Sequence, residues 1–198
     1  MKATDILMNE HRVIEKVLHC LSQLIERFET KQETYPEEAD KMIYFFRNYA
    51  DLCHHGKEEN QLFPLMEQKD FSSNNGPTAV MRHEHEEGRA LIRNMDTAIQ
   101  SALQGQTQSY QNFIDNARKY LVLLSSHISK EDHCLFPMAD SSLNESEQSH
   151  LLDLFKHVDE VEIPHGTSET CLQIANDLTH QFSAPSINKS SSCSSCQH

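Results

Sequence analysis

The segment 54–64, HHGKEENQLFP, recurs at 127–137 as HISKEDHCLFP. Both copies follow the pattern H-x-x-K-E-[ED]-x-x-L-F-P, so His54 and Glu58 are four residues apart, as are His127 and Glu131. On a helix this spacing places two side chains on one face, one turn apart, where they can bind one metal ion. A single such pair arises often by chance, but two copies in the same frame indicate an internal duplication built around the pair.

Helix breakers are few, with five Gly and six Pro in 198 residues. Apolar residues recur at spacings of three and four over four long windows, which are about 4–30, 36–67, 77–103 and 109–138. Four helices with short connections pack as an up-down-up-down bundle. The sequence therefore predicts an all-α protein built on a four-helix bundle.

The part of the chain beyond the bundle has a different pattern. Asn144 is followed three residues later by Glu147, which predicts a capped helix, and a further amphipathic stretch follows Gly166. We predict one domain over 1–183, with a core bundle at about 4–140 and additional C-terminal helices at about 144–183. The Ser-rich tail 184–198 is expected to be disordered. Its isolated C-x-x-C, Cys193 to Cys196, is weak evidence for a metal or redox site.

Six polar residues interrupt the apolar helix faces at one level of the predicted bundle. Residues of antiparallel helices are level when they lie equally far from the connecting turn, and this arithmetic brings four histidines and two glutamates together about 28 Å from each turn. The six candidates are His11, His54, Glu58, His85, His127 and Glu131.

Two explanations of this layer compete. Any one of these residues alone is better explained as a core histidine or carboxylate with a hydrogen-bond partner. Six at one level are not, because an unpaired buried carboxylate costs several kcal/mol and would lose its charge by protonation. Metal binding removes that cost for all six together. Four imidazoles and two carboxylates suit two divalent ions, and this donor set fits iron best, with manganese and zinc as alternatives.

Composition limits the partners and the location. The formal net charge of −13 argues against nucleic acid and against an anionic membrane surface as partners. The first eleven residues contain no apolar signal segment, and no apolar run approaches the length of a membrane span. We therefore predict a cytoplasmic protein whose six cysteines are reduced. A protein partner is not predicted.

The motifs around these residues resemble those of the hemerythrin family, in particular single-domain bacterial hemerythrin-like (HHE cation-binding) proteins, over about residues 5–180. The similar segments are NEH at His11, CHHGKEENQLFP at His54 and Glu58, PTAVMRHEHEEGR at His85, and HISKEDHCLFP at His127 and Glu131. The resemblance implies a bundle that holds an oxo- or hydroxo-bridged pair of non-haem iron ions, with both Glu as bridges. It also implies a small-molecule partner such as dioxygen, nitric oxide or peroxide.

One position departs from the oxygen-carrying members of that family. They have a second His on the third helix, one turn before the first, where this chain has Met81. A dedicated oxygen carrier is therefore not favoured. The leading hypothesis is a di-iron protein that binds or senses a small ligand or the iron or redox state. The alternatives are a di-iron enzyme that handles peroxide or nitric oxide, and a non-redox cation-binding bundle.

Three further polar residues flank the six candidates. His55, Glu59 and His83 are each next to or near a candidate in sequence, and one residue corresponds to about 100° of rotation on an α-helix. We therefore expect them to point away from the centre of the layer, either supporting the ligands from outside or lying at the surface. His55 is the residue for which an exception is most readily expected.

Overall fold

The structure, a computed structural model, describes residues 1–31, 35–69, 71–106 and 108–183. These residues form six helices and no strand. In chain order the helices are α1 (Ala3–Lys31), α2 (36–67), α3 (Pro77–Leu103), α4 (109–142), α5 (145–162) and α6 (Thr167–Ser183).

The first four helices form the predicted bundle. Helix α1 packs against α2 and α4, and α3 packs against α2 and along α4. Pro36 and Pro77 stand at the starts of α2 and α3, where proline is tolerated because the first N–H groups of a helix have no partner within the helix. The all-α, up-down-up-down bundle with additional C-terminal helices is confirmed.

The apolar core has two parts, separated by a polar layer. The larger part includes Ile14, Met95 and Phe113, and the smaller part includes Leu7 and Met81. On α1 the buried His11 lies between Leu7 and Ile14, at the boundary. Each fully buried large apolar side chain contributes about 1.5–3 kcal/mol, so the two apolar parts together stabilise a bundle that contains a buried polar layer.

Both copies of the sequence repeat contain a π-helical turn. The turns are Glu58–Leu62 and Glu131–Leu135, and each is followed by the Phe-Pro of the repeat. Because proline has no N–H and its ring clashes with the carbonyl four residues earlier, a regular α-helix cannot continue through it undisturbed. The ladder shifts instead to i→i−5 bonds, with the Phe63 N–H donating to the Glu58 carbonyl and the Phe136 N–H to that of Glu131.

The two C-terminal helices pack against the bundle. Helix α5 begins with the predicted capping box, in which the Asn144 side chain accepts from the Glu147 N–H and the Glu147 carboxylate accepts from the Asn144 N–H. Helix α6 packs on α1 and α2, and its Cys171 and Leu178 join the larger part of the core. The predicted tail, 184–198, lies outside the described residues. Within the described part of the chain, no helix has the length and apolar character of a membrane span.

Candidate metal centre

The six predicted residues meet in one buried layer. His11, His54, His85 and His127 come from α1, α2, α3 and α4, and none is more than 2% exposed. Glu131 lies between His11 and His127, with a carboxylate oxygen 3.2 Å from Nε2 of each. Glu58 lies between His54 and His85, with oxygens 3.7 and 3.5 Å from their Nε2 atoms. Each glutamate therefore lies between two histidines, one from each half of the duplicated bundle.

A fifth histidine joins the layer. His55 is 6% exposed, and its ring stacks on His85 with centroids 3.8 Å apart. The expectation that His55 points away from the centre is wrong. It assumed α-helical geometry, whereas the segment Phe46–His55 is π-helical. A π-helical turn contains more residues than an α-helical one, so adjacent side chains diverge less and His54 and His55 both face inward. The expectation for His83 holds, since it is exposed.

The layer contains an unusual concentration of buried polar atoms without hydrogen bonds. Among the described residues, eight buried side-chain nitrogen and oxygen atoms have no hydrogen-bond partner, and seven of them lie here. The seven are Nε2 of His11, His54 and His55 and both carboxylate oxygens of Glu58 and Glu131. Leaving such atoms unsatisfied costs about 1–3 kcal/mol each. Imidazole nitrogens and carboxylate oxygens are donors for iron, manganese and zinc, so the residues fit a metal centre.

Two groups of these side chains are compact enough to hold one ion each. The first group is His11, His54, Glu58 and Glu131, and the second is His55, Glu58, His85 and His127. Within each group, one ligand atom per residue lies within 4.8 Å of all the others. Glu58 belongs to both groups, as expected for a pair of ions bridged by a carboxylate.

Each of the five histidines is oriented by a carboxylate that accepts a hydrogen bond at Nδ1. The pairs are His11 with Asp132 (2.7 Å), His54 with Glu10 (2.9 Å), His55 with Asp51 (3.3 Å), His85 with Glu59 (2.6 Å) and His127 with Glu84 (3.0 Å). This bond fixes the tautomer, turns Nε2 towards the layer and makes the imidazole a stronger ligand. Sequence reasoning anticipated a supporting role only for Glu59 and missed the other four, although the pairs Glu10-His11, Glu84-His85 and Glu131-Asp132 were visible.

The orienting carboxylates are in turn paired with cations. Glu10 contacts Lys57 (2.5 Å), and Glu84 contacts Lys130, its equivalent in the second repeat. Arg89 donates to both Glu59 and Asp51, at 2.8 Å in each case. These ion pairs hold the carboxylates in place, so the recurrence of Lys three residues after the His in both copies of the repeat has a structural reason.

The phenylalanine of each repeat packs against a histidine of the layer. Phe136 of the second repeat stacks on His11 with ring centroids 5.4 Å apart, and Phe63 of the first stacks on His85 at 5.9 Å. The duplication thus reproduces the histidine, its orienting acid, the lysine and the aromatic cover. It does not reproduce His55, because the corresponding position of the second repeat is Ile128.

The two central glutamates have opposite pKa shifts. Burial, followed by the nearby Glu131, raises the pKa of Glu58 well above its ordinary value. Burial also disfavours ionisation of Glu131, but His127 and His11 hold its pKa well below the ordinary value. Burial acts against protonation of His127, yet Glu131 and Glu84 raise its pKa to about 9. In the metal-free layer Glu58 therefore keeps its proton to a higher pH than an ordinary glutamic acid, Glu131 stays ionised to a lower pH, and His127 is charged at neutral pH.

The family relationship agrees with this geometry. Residues 2–139 match the family model described as the hemerythrin HHE cation binding domain. That match covers the whole four-helix bundle apart from the last residues of α4. This chain belongs to the hemerythrin HHE family. The family binds metal cations, and the buried His/Glu layer is the place in this member where they fit.

Several curated proteins are similar to this HHE chain. An uncharacterized protein of Mycobacterium tuberculosis is 24% identical over 135 residues, which are 68% of this chain and 52% of that protein. The iron-sulfur cluster repair protein YtfE of Edwardsiella ictaluri is 29% identical over 131 residues, covering 65% and 59%. The iron-sulfur cluster repair protein DnrN of Neisseria gonorrhoeae is 32% identical over 130 residues, covering 65% and 81%. The chain thus spans little more than half the length of the first two. No solved structure matches it.

A cavity of about 560 Å³ adjoins one side of the HHE layer. His55, His85 and His127 of the second group line it, together with apolar side chains such as Leu124. Val158 and Ile163 form part of its wall, and these residues lie beyond the family match, which ends at 139. The cavity can admit a small molecule to the second group of ligands.

Proposed function

We propose that this chain holds a dinuclear non-haem iron centre that binds or senses a small ligand such as dioxygen, nitric oxide or peroxide. The observation that carries the proposal is the buried layer in which seven donor atoms of His and Glu have no hydrogen-bond partner among the described residues. Two compact groups share Glu58 there, which suits a pair of ions better than a single one.

The proposed ligand set is larger than the six residues expected from the sequence. His11 and His54 would hold one ion, and His85 and His127 the other, with Glu58 and Glu131 shared between them. His55 is a third imidazole for the second ion, since its Nε2 is buried, has no partner and belongs to the second compact group. An iron pair held there would supply one-electron chemistry and could take an exogenous ligand.

The protein residues around the centre have separate tasks. The five carboxylates at Nδ1 hold the imidazoles in the tautomer that presents Nε2. The two apolar parts of the core exclude bulk water from both ends of the layer. The cavity beside His55, His85 and His127 gives a small molecule access to the second group. Met81, which is 4% exposed and packs in the smaller apolar part, contributes no imidazole.

Iron is preferred over structural zinc because of the donor set. Structural zinc sites commonly use thiolates in a closed tetrahedral arrangement. The buried thiol nearest the layer in sequence, Cys53, contacts the Ser168 hydroxyl at 3.7 Å instead. Manganese and a non-redox cation remain the alternative occupants that metal analysis separates.

A second candidate is a role in the repair of iron–sulfur clusters. It is supported by two relatives that are named as iron-sulfur cluster repair proteins, one of which shares 32% identity over 81% of its own length. Cluster repair would use the proposed iron centre. Enzymatic turnover of nitric oxide or peroxide, a further alternative, would use the same centre. An assay of cluster recovery after nitric oxide damage, with wild type and Glu58→Gln compared, distinguishes them from ligand binding alone.

The test of the main proposal is metal analysis combined with anaerobic spectroscopy. We expect two irons per chain, a diferric form that gains a visible charge-transfer band with azide, and a diferrous form that responds to dioxygen or nitric oxide. The exposed His83→Gln serves as a control that changes an imidazole outside the layer. Two zinc ions per natively isolated chain, with no spectral response after iron loading, would refute the proposal.

A further inference from the structure

The two halves of the duplication contain equivalent chains of contacts that end on a histidine of the centre. In the first half, Lys57 Nζ contacts Glu10 Oε1 at 2.5 Å, and Glu10 Oε2 accepts from His54 Nδ1 at 2.9 Å. In the second half, Lys130 contacts Glu84 Oε1, and Glu84 Oε2 accepts from His127 Nδ1 at 3.0 Å. Each lysine therefore fixes the carboxylate that orients a histidine.

The two lysines differ in their surroundings. The Lys57 side chain is 1% exposed, whereas that of Lys130 is 39% exposed. Lys57 also has a second acidic partner, Asp159, whose Oδ1 lies 2.7 Å from Nζ. Asp159 belongs to the π-helical turn Val158–Glu162 at the end of α5. This turn lies outside the family match to residues 2–139. Among the described residues, the ion pair of Lys130 is with Glu84 alone.

Burial makes the second partner important. A buried ammonium loses its hydration and is stable only when it is paired and hydrogen-bonded. Glu10 offers Lys57 only one carboxylate oxygen, because its other oxygen accepts a hydrogen bond from His54. Asp159 contacts Lys57 from α5 and fixes the position of Nζ between two carboxylates. The geometry of Glu10, and through it the ring of His54, therefore depends on a residue more than one hundred positions away in the sequence.

We infer that Asp159 is a positioning residue for the metal ion held by His54. It acts through Lys57 and Glu10, so α5 contributes to the orientation of a metal ligand. Because the inference rests on the proposed function, its test uses the iron-loaded full chain and follows each of the two irons separately.

The experiment compares Asp159→Asn with Glu160→Gln. Both changes remove one carboxylate from adjacent positions, but Glu160 is exposed and contacts Lys156 at 3.8 Å on its own helix. Loss of a group that directly orients a ligand typically weakens metal binding about 10–100-fold. Asp159 does not contact a ligand directly and acts through Lys57 and Glu10, so its effect should be smaller. We expect a chelator to remove one of the two irons about 3–10-fold faster from Asp159→Asn than from wild type. The other iron should keep the wild-type rate, and Glu160→Gln should match wild type for both.

Mössbauer spectra of the iron-loaded variants provide a readout that a general loss of stability would not produce. Asp159→Asn should change one of two quadrupole doublets, and Lys130→Gln should change the other, because Lys130 acts on His127 in the second half. Asp159→Glu, which retains the charge, should recover most of the wild-type release rate.

Different failures have different meanings. If wild type holds two irons and Asp159→Asn releases both at wild-type rates, the inference about Asp159 is overturned while the proposed centre stands. If both irons leave faster to the same degree, Asp159 supports the fold in general and the positioning role is overturned. If wild type holds no iron pair, the proposed function fails, and the inference fails with it.

Discussion

Replacement of Glu58 by Gln is expected to stabilise the metal-free protein, although the residue lies at the centre of the metal site. Glu58 is fully buried, and neither of its oxygens has a hydrogen-bond partner within the described structure. Burial and the nearby Glu131 raise its pKa well above the ordinary value of 4.5. A glutamine has nearly the shape of the protonated acid and has no proton to lose. The substitution therefore removes a cost of ionisation without creating a cavity.

The size of the effect follows from proton linkage. Below pH 4.5 both the folded and unfolded chains keep Glu58 protonated, and its ionisation costs nothing. Above that value only the unfolded chain releases the proton, until the raised pKa of the folded state is reached. Over this window wild type loses about 1.4 kcal/mol of stability per pH unit relative to Glu58→Gln. For each pH unit within this window, the melting temperature of the variant should gain about 3–6 °C on that of wild type.

The assay is urea and thermal unfolding of both proteins after metal removal, at several pH values. Glu87→Gln, the same chemical change at an exposed position of α3, should show no such dependence on pH. With iron bound, wild type should become more stable than Glu58→Gln. An ion that binds only the folded state stabilises it by about 4 kcal/mol at a thousand-fold excess over Kd. The variant lacks the shared carboxylate and should gain less. A stability difference that stays constant from pH 5 to 7 would refute the reasoning.

Three further outcomes follow from the layer. Glu131→Gln should destabilise the metal-free protein by about 3 kcal/mol at pH 7, measured by urea unfolding, because it removes the ionised partner of His127. Metal uptake at pH 7.5 should release a proton from His127, whose pKa is raised to about 9, as measured by calorimetry in buffers of different ionisation enthalpy. This proton release should disappear above that pH. His55→Gln should keep two irons but shift the azide band, and an unchanged band would remove His55 from the ligand set.

The sequence was sufficient to predict the six residues that meet because helix geometry is local. Equal distances from each turn place His11, His54, His85 and His127 at one level without knowledge of any tertiary contact. The same arithmetic failed at His55, because it assumed an α-helix where the chain is π-helical. The Phe-Pro step in each repeat was a signal for an irregular ladder, since proline disrupts the regular one.

The orienting carboxylates were only partly predictable. An acid stands beside a candidate ligand in four places, and that adjacency is visible in the sequence. Which histidine each acid serves is a tertiary fact, since Glu10 holds His54 on the next helix and not its neighbour His11. The contact of Lys57 with Asp159 joins segments 102 positions apart, so no local pattern indicated it.

Two departures from the duplication, at His55 and at Lys57, involve the C-terminal segment that contains α5. In the half that holds His85, the cavity is lined by His55 and bounded by Val158 and Ile163 of the C-terminal segment. In the half that holds His54, the same segment supplies Asp159 to the buried Lys57. A pair of ions in a fully symmetric duplication would have equal surroundings and equal access. In the proposed centre, the segment beyond the matched domain lines the cavity beside one group of ligands and supplies Asp159 to the support of the other. We therefore expect exogenous ligands to bind on the His85 side, and chelators to discriminate between the two ions.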